Sequence, residues 1–164
     1  MPSAPASSED VMDLTQDLRE FFNALVSNNV RFLVVGGNAV IAHGFVRSTE
    51  DFDFWIARDR DNARNVLRAL EQFGVGSLGF TEEDFLEPGQ VLMFGRLPNR
   101  IDLLTSISGV EFEDAYPRRV VGNFGGVSMP LIALSDLLVN KKALGREKDL
   151  ADVAEFERST KHGS

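Results

Sequence analysis

Apolar residues recur along the chain in two periods, and the alternation between them lays out the elements. Val11, Leu14, Leu18, Phe21, Phe22, Leu25 and Val26 fall at helical spacing and predict an amphipathic helix. Ser7 and Asp10 form a capping box before it, and residues 1–7, rich in Pro, Ser and Ala, read as a disordered leader. Phe32-Leu33-Val34-Val35 is a short apolar run stopped by two glycines, which predicts a buried strand. A short helix from Asn38 to His43 follows, ended by Gly44, and Asp51 to Ile56 is the second strand. Ala63, Val66, Leu67, Leu70 and Phe73 mark a helix that Gly74 terminates.

Beyond Gly74 the pattern weakens. Residues 75–89 show no period, and Pro88-Gly89 is a turn signal. Val91 to Arg96 and Arg100 to Leu104 predict a hairpin across Pro98-Asn99, and 111–117 a short helix. Val120 to Phe124 and Val127 to Met129 predict a second hairpin over Gly125-Gly126. Two helices close the chain, Ser135 to Leu144 and Glu147 to Glu157, with Gly145 between them and a disordered tail over 159–164. The expected fold is one α/β (α+β) domain over 8–158, a small mixed sheet flanked by helices. A length of 164 residues suits one domain.

Composition narrows the function. With 25 Asp and Glu against 17 Lys and Arg, net charge is −8, which argues against broad phosphate neutralisation of a nucleic acid. The imbalance sits in the first half. Residues 96–164 carry equal numbers of acids and bases, so a phosphate-binding surface can still draw on them. The absence of cysteine excludes disulfides, thiolate-bound zinc and thiol catalysis, and two histidines, His43 and His162, exclude a multi-histidine metal site. No apolar stretch is long enough for a membrane span, and the acidic start MPSAPASSED is unlike a secretory signal. A cytoplasmic protein is expected.

Candidate chemistry centres on Asp51-Phe52-Asp53-Phe54-Trp55. Strand alternation puts Asp51, Asp53 and Trp55 on one face, with the phenylalanines on the other. Two neighbouring carboxylates repel and lose solvation, and a divalent cation with oxygen ligands, Mg²⁺ or Mn²⁺, is the natural compensator. Asp102, between Ile101 and Leu103, is a third candidate if its strand lies beside the second. The alternative is a strand cap at Asp51, a solvated Asp53 and a turn residue at Asp102. Gly36-Gly37, between strand and helix, either exposes backbone N–H groups to a phosphate or only permits a tight turn.

The stretch GGNAVIAHGFVRSTEDFDFWI resembles the signature of the DNA polymerase β-like nucleotidyltransferase superfamily: a glycine pair, a short helix, then an Asp-x-Asp strand. RIDLLTSISGV and MPLIALSDLLVNKKALGREKDLADV resemble its small bacterial branch, which includes the AbiEii-like toxins of toxin–antitoxin systems. The resemblance covers 31–57 and 100–157. It implies a nucleotidyltransferase-like fold in which Gly36 and Gly37 hold nucleotide phosphates. It further implies that Asp51 and Asp53 bind two Mg²⁺ ions and that Asp102 is the third carboxylate, helping to deprotonate the acceptor hydroxyl. Arg47 and Thr49 are near enough to reach phosphate oxygens. Lys141 falls near the middle of the stripe Leu134, Leu137, Leu138 and Leu144, with Lys142 at its border. A lysine there snorkels or finds an anion, expected to be the triphosphate or the carboxylate cluster. The resemblance aligns it with a catalytic lysine and makes Arg146, followed by Lys148 and Asp149, a nucleotide contact.

His43, at a helix end, reads as structural. Trp55 reads as core, with stacking on a base as the alternative. Arg96, Arg100, Arg118 and Arg119 read as surface charge, with guidance of an RNA or nucleotide as the alternative. The function expected is Mg²⁺-dependent transfer of NMP from an NTP to a hydroxyl of a tRNA 3′ end, a protein or a small molecule. A toxin–antitoxin setting would add a cognate antitoxin as partner. The rivals are a catalytically silent nucleotide-binding or antitoxin-like interaction module, and an unrelated α/β domain.

Overall fold

The computed structural model describes residues 15–49, 51–95 and 100–163, the side chains of 160–163 excepted. The 1–7 leader, the Ser7–Asp10 box, Val11, Leu14, Arg96, the Pro98-Asn99 turn and the His162 side chain lie outside those residues.

The first described helix, α1 (Gln16–Ser27), is capped by Thr15, whose hydroxyl accepts the Leu18 N–H at 3.2 Å. Next, β1 (Phe32–Val35) runs straight into α2 (Gly36–Ala42), which begins on the glycine pair itself and ends just before His43. After β2 (Asp51–Ile56) comes α3 (Arg60–Phe73), opened by Asp59, whose carboxylate accepts the Asn62 N–H, and stopped at a left-handed Gly74. The unperiodic stretch 75–89 holds two 3₁₀ turns, Gly76–Leu78 and Glu83–Phe85. Strand β3 (Val91–Phe94) is shorter than predicted and pairs antiparallel with β4 (Arg100–Leu104).

The single-turn helix α4 (Phe112–Ala115) leads through another 3₁₀ turn to the hairpin of β5 (Val120–Phe124) and β6 (Val127–Leu131). Pairing with β1 at Val34 carries β6 past Met129 to Leu131. Helix α5 (Leu134–Leu144) is separated by Gly145 from α6 (Glu147–Gly163). Helix α6 passes the predicted end at Glu157 and takes in 159–163, because no Gly or Pro interrupts the sequence before Gly163.

Among the described residues there are six helices and a six-stranded mixed sheet, in the strand order β3-β4-β2-β1-β6-β5. β1 is antiparallel to β2 and parallel to β6, while β2 is parallel to β4. Alternation divides the sheet into two unlike faces. Phe32, Phe52, Phe54 and Phe94 line one of them, where Phe21 of α1 meets Phe54, Phe73 and Phe94 edge-on with centroids 5.2–5.5 Å apart. That aromatic face, covered by α1 and α3, is the core. The opposite face carries the acidic pair: register partners Val35, Asp53, Asp102 and Met93 follow one another across β1, β2, β4 and β3, with the two carboxylates side by side in the middle. Trp55 lies farther along that face, buried edge-on against Phe112 at 5.1 Å, so it is a core residue.

Candidate active site

Three carboxylates converge because two strands pair in parallel and in register. Asp53 faces Asp102, and Asp51 faces Arg100. Arg100 ties the group together, donating from Nη2 to Asp51 Oδ2 at 2.9 Å and from Nε to Asp102 Oδ1 at 3.1 Å. Asp53 receives none of this. Its Oδ1 is buried without a hydrogen-bond partner, an exception among buried polar atoms. Burial, then the negative charges of Asp102 and Asp51, push the Asp53 carboxyl up to about 7, against a smaller downward pull from Arg100. Among the described residues no three acidic or histidine side chains stand at metal-holding spacing. The cation that bridges Asp51 and Asp102 here is a guanidinium.

Gly36 is fitted to this cluster. Its φ is +73°, and a Cβ there would stand 2.1 Å from Asp53 Oδ2, so only glycine lets β1 turn into α2 beside that carboxylate. Asn38 braces the same point by donating to the Asp51 carbonyl at 2.9 Å.

Asp53 and Gly36 open onto a cavity of about 530 Å³ whose far wall includes Asn140 of α5 and Arg146. Asn140 donates to the Ser108 carbonyl at 2.9 Å, which holds the 106–108 segment against α5. Arg146 pairs with Asp149, which is fully buried. Burial by itself would raise the Asp149 carboxyl, but Arg146 and Lys141 hold it below the usual carboxylate range.

A family model described as "Nucleotidyltransferase of unknown function (DUF6036)" matches residues 9–160. The chain belongs to this family. No curated protein and no solved structure matches it. The nucleotidyltransferase label and the carboxylate geometry meet on the same strands, since β2 and β4 both lie inside the matched range.

In this nucleotidyltransferase-family chain several predicted residues stand elsewhere than expected. Lys141 is buried, but its ammonium meets Asp149 at 3.1 Å and Asp152 at 3.0 Å, where the cluster or a triphosphate was the expected partner. Arg47, expected at a phosphate, is paired with Asp152. Thr49 donates to the Asp51 carbonyl at 3.2 Å and packs against Gly37, where a Cβ would come within 2.8 Å of it. Gly37 therefore makes room for Thr49. Lys141 and Arg47 share one reason: α6 folds back along α5 and brings Asp149 and Asp152 to cations that the local sequence left unpaired.

His43 is structural, its Nε2–H donating to the Ile132 carbonyl at 2.8 Å. Arg118 grips Asp136 through two hydrogen bonds of 2.9 and 3.0 Å, and Arg119 lies over the Tyr116 ring at 4.0 Å. Arg100, read from the sequence as surface charge, instead bridges Asp51 and Asp102. Its signal was present, for a residue two before Asp102 in a strand must share its face.

Proposed function

We propose that this chain transfers NMP from an NTP to an acceptor hydroxyl in a Mg²⁺-dependent reaction. The observation that supports this most is the in-register pair Asp53–Asp102 with Asp51 on the same face, including a buried carboxylate oxygen that lacks a partner. The donors fit a hard divalent cation: they are carboxylates only, and they already attract a cationic group. Asp51, Asp53 and Asp102 would hold Mg²⁺, or Mn²⁺ in its place. Bound there, the metal would neutralise phosphate charge and favour ionisation of the acceptor hydroxyl.

The chain's own groups divide the remaining work. The acceptor oxygen attacks the α-phosphorus, the bond to the bridging oxygen breaks, and pyrophosphate leaves with its electron pair. Asp102, the register partner of Asp53, would take the hydroxyl proton. Arg146, lining the same cavity and oriented by Asp149, offers a fixed positive charge to the polyphosphate. Gly36 keeps side-chain bulk away from the phosphate approach.

By resemblance to the AbiEii-like branch, the acceptor is a tRNA 3′ end in a toxin–antitoxin system. A protein or small-molecule hydroxyl is the alternative that a net charge of −8 favours. Among the described residues no helix is long and apolar enough to cross a membrane. With an NTP as substrate, the cytoplasm is the compartment we propose. One observation favours a silent nucleotide-binding or antitoxin-like module: Arg100 already satisfies Asp51 and Asp102. Incubating the protein with each NTP labelled on its α-phosphate, Mg²⁺, and total tRNA or lysate tests the proposal. Label on one macromolecular pool identifies the acceptor class, and no label from any NTP supports the silent module.

A further inference from the structure

We propose that Arg100 is a gate on the metal site, a built-in cation that keeps the carboxylates closed to a lone divalent ion until it is displaced. The inference rests on the reading of the cluster as a metal site. Arg100 reaches Asp51 and Asp102 from the same sheet face, bonding one oxygen of Asp51 and both of Asp102, the second at 3.5 Å. The guanidinium occupies oxygens that a metal would ligate, and its charge opposes the approach of a second cation to them. A metal that ligates Asp51 and Asp102 must therefore take them from the guanidinium.

The structure allows the exchange. About a third of the Arg100 side chain is solvent-exposed, so its head can leave for water without crossing the core. Asp102 has no such freedom, being only 7 % exposed and fixed between Ile101 and Leu103. Arg100 thus moves while the carboxylates stay. Its bonds also explain how the cluster tolerates its own charge: one guanidinium offsets part of the charge on Asp51 and Asp102, and the carboxylate left without a partner is Asp53. A guanidinium set free at this mouth needs an anion, and the phosphates of the substrate supply one. Metal and polyphosphate then favour each other's binding, whereas metal alone competes with Arg100.

The test is calorimetric titration of the intact chain with Mn²⁺ alone, in wild type, Arg100→Gln, Arg100→Lys and Asp53→Asn. Gating predicts that Arg100→Gln binds Mn²⁺ about tenfold tighter than wild type or better, the scale of losing one charge-assisted competitor. Arg100→Lys should fall between, since a single ammonium is a poorer bridge than a planar fork. Asp53→Asn should abolish binding. Should Arg100→Gln fail to fold, as judged by circular dichroism, Arg100→Lys carries the comparison. Equal or weaker Mn²⁺ binding in the folded Arg100 variants, with binding lost in Asp53→Asn, overturns the gate and leaves the metal site standing. Absence of Mn²⁺ binding in every protein overturns both.

Discussion

Asp53 and Asp102 face each other across β2 and β4 as register partners, and they are not treated alike. Asp102 has the Arg100 guanidinium at 3.1 Å, whereas Asp53 keeps a buried oxygen with no partner. Parallel pairing makes this asymmetry. It sets Arg100 opposite Asp51 and beside Asp102, and leaves Asp53 between the turn at Gly36 and the cavity. A carboxylate so placed is costly by itself and useful to a bound cation.

That cost has a sign in pH. The Asp53 carboxyl lies near 7 in the folded chain and near 3.8 unfolded, so the folded state holds its proton more tightly. Its stabilising contribution is full below about pH 4 and is lost as pH rises through about 7. Asp53→Asn keeps a neutral group and should flatten that slope. At pH 8 the metal-free variant should melt a few °C above wild type, on the scale of ~2–4 °C per kcal/mol for chains of this size. Parallel melting curves from pH 5 to 8, with the variant no more stable, would refute this account of Asp53.

Lys141 is embedded in a buried ionic cluster, which makes its loss a stability event. Removing it leaves Asp149 without one of two cations and Asp152 with Arg47 alone. Lys141→Met should cost roughly 3 kcal/mol or more, the usual penalty for breaking a buried pair from one side. Lys142→Ala, whose partner Glu157 is as exposed as Lys142 itself, should stay within ~0.5 kcal/mol. Urea denaturation reads both. A Lys141→Met protein as stable as wild type but unable to transfer nucleotide would instead place this lysine at the substrate.

The two glycines should separate in the same assay. Gly36→Ala meets both a φ of +73° and the Asp53 carboxylate, and the backbone at this strand-to-helix turn has little room to yield. The left-handed backbone accounts for about 1–2 kcal/mol of destabilisation, to which the carboxylate clash adds. Gly37→Ala meets only the Thr49 side chain and should be the milder change. The reverse order would mean that the close approach at Asp53 does not constrain the turn.

How much of this was legible in the sequence depended on whether the signal was local. The alternation in Asp51–Ile56 gave the two faces of β2, and Gly74 and Gly145 marked helix ends that the structure keeps. The adjacency of β2 and β4 was readable only as a condition, because strand order is a long-range property. Arg100 and Lys141 show the limit. Each was visible as a charge on a defined face, but their partners are set by register across the sheet and by the packing of α6 against α5. The stretch 75–89 gave no prediction because its two 3₁₀ turns carry neither a helical nor a strand period.

Transfer of label from an NTP carrying it on the α-phosphate, in wild type and in folded Asp53→Asn side by side, tests the central claim most directly. The account predicts that wild type with Mg²⁺ moves label onto an acceptor and releases unlabelled pyrophosphate, while Asp53→Asn with the same circular dichroism transfers none. Equal labelling by the two proteins would contradict the assignment of the Asp51, Asp53 and Asp102 cluster as the reacting centre.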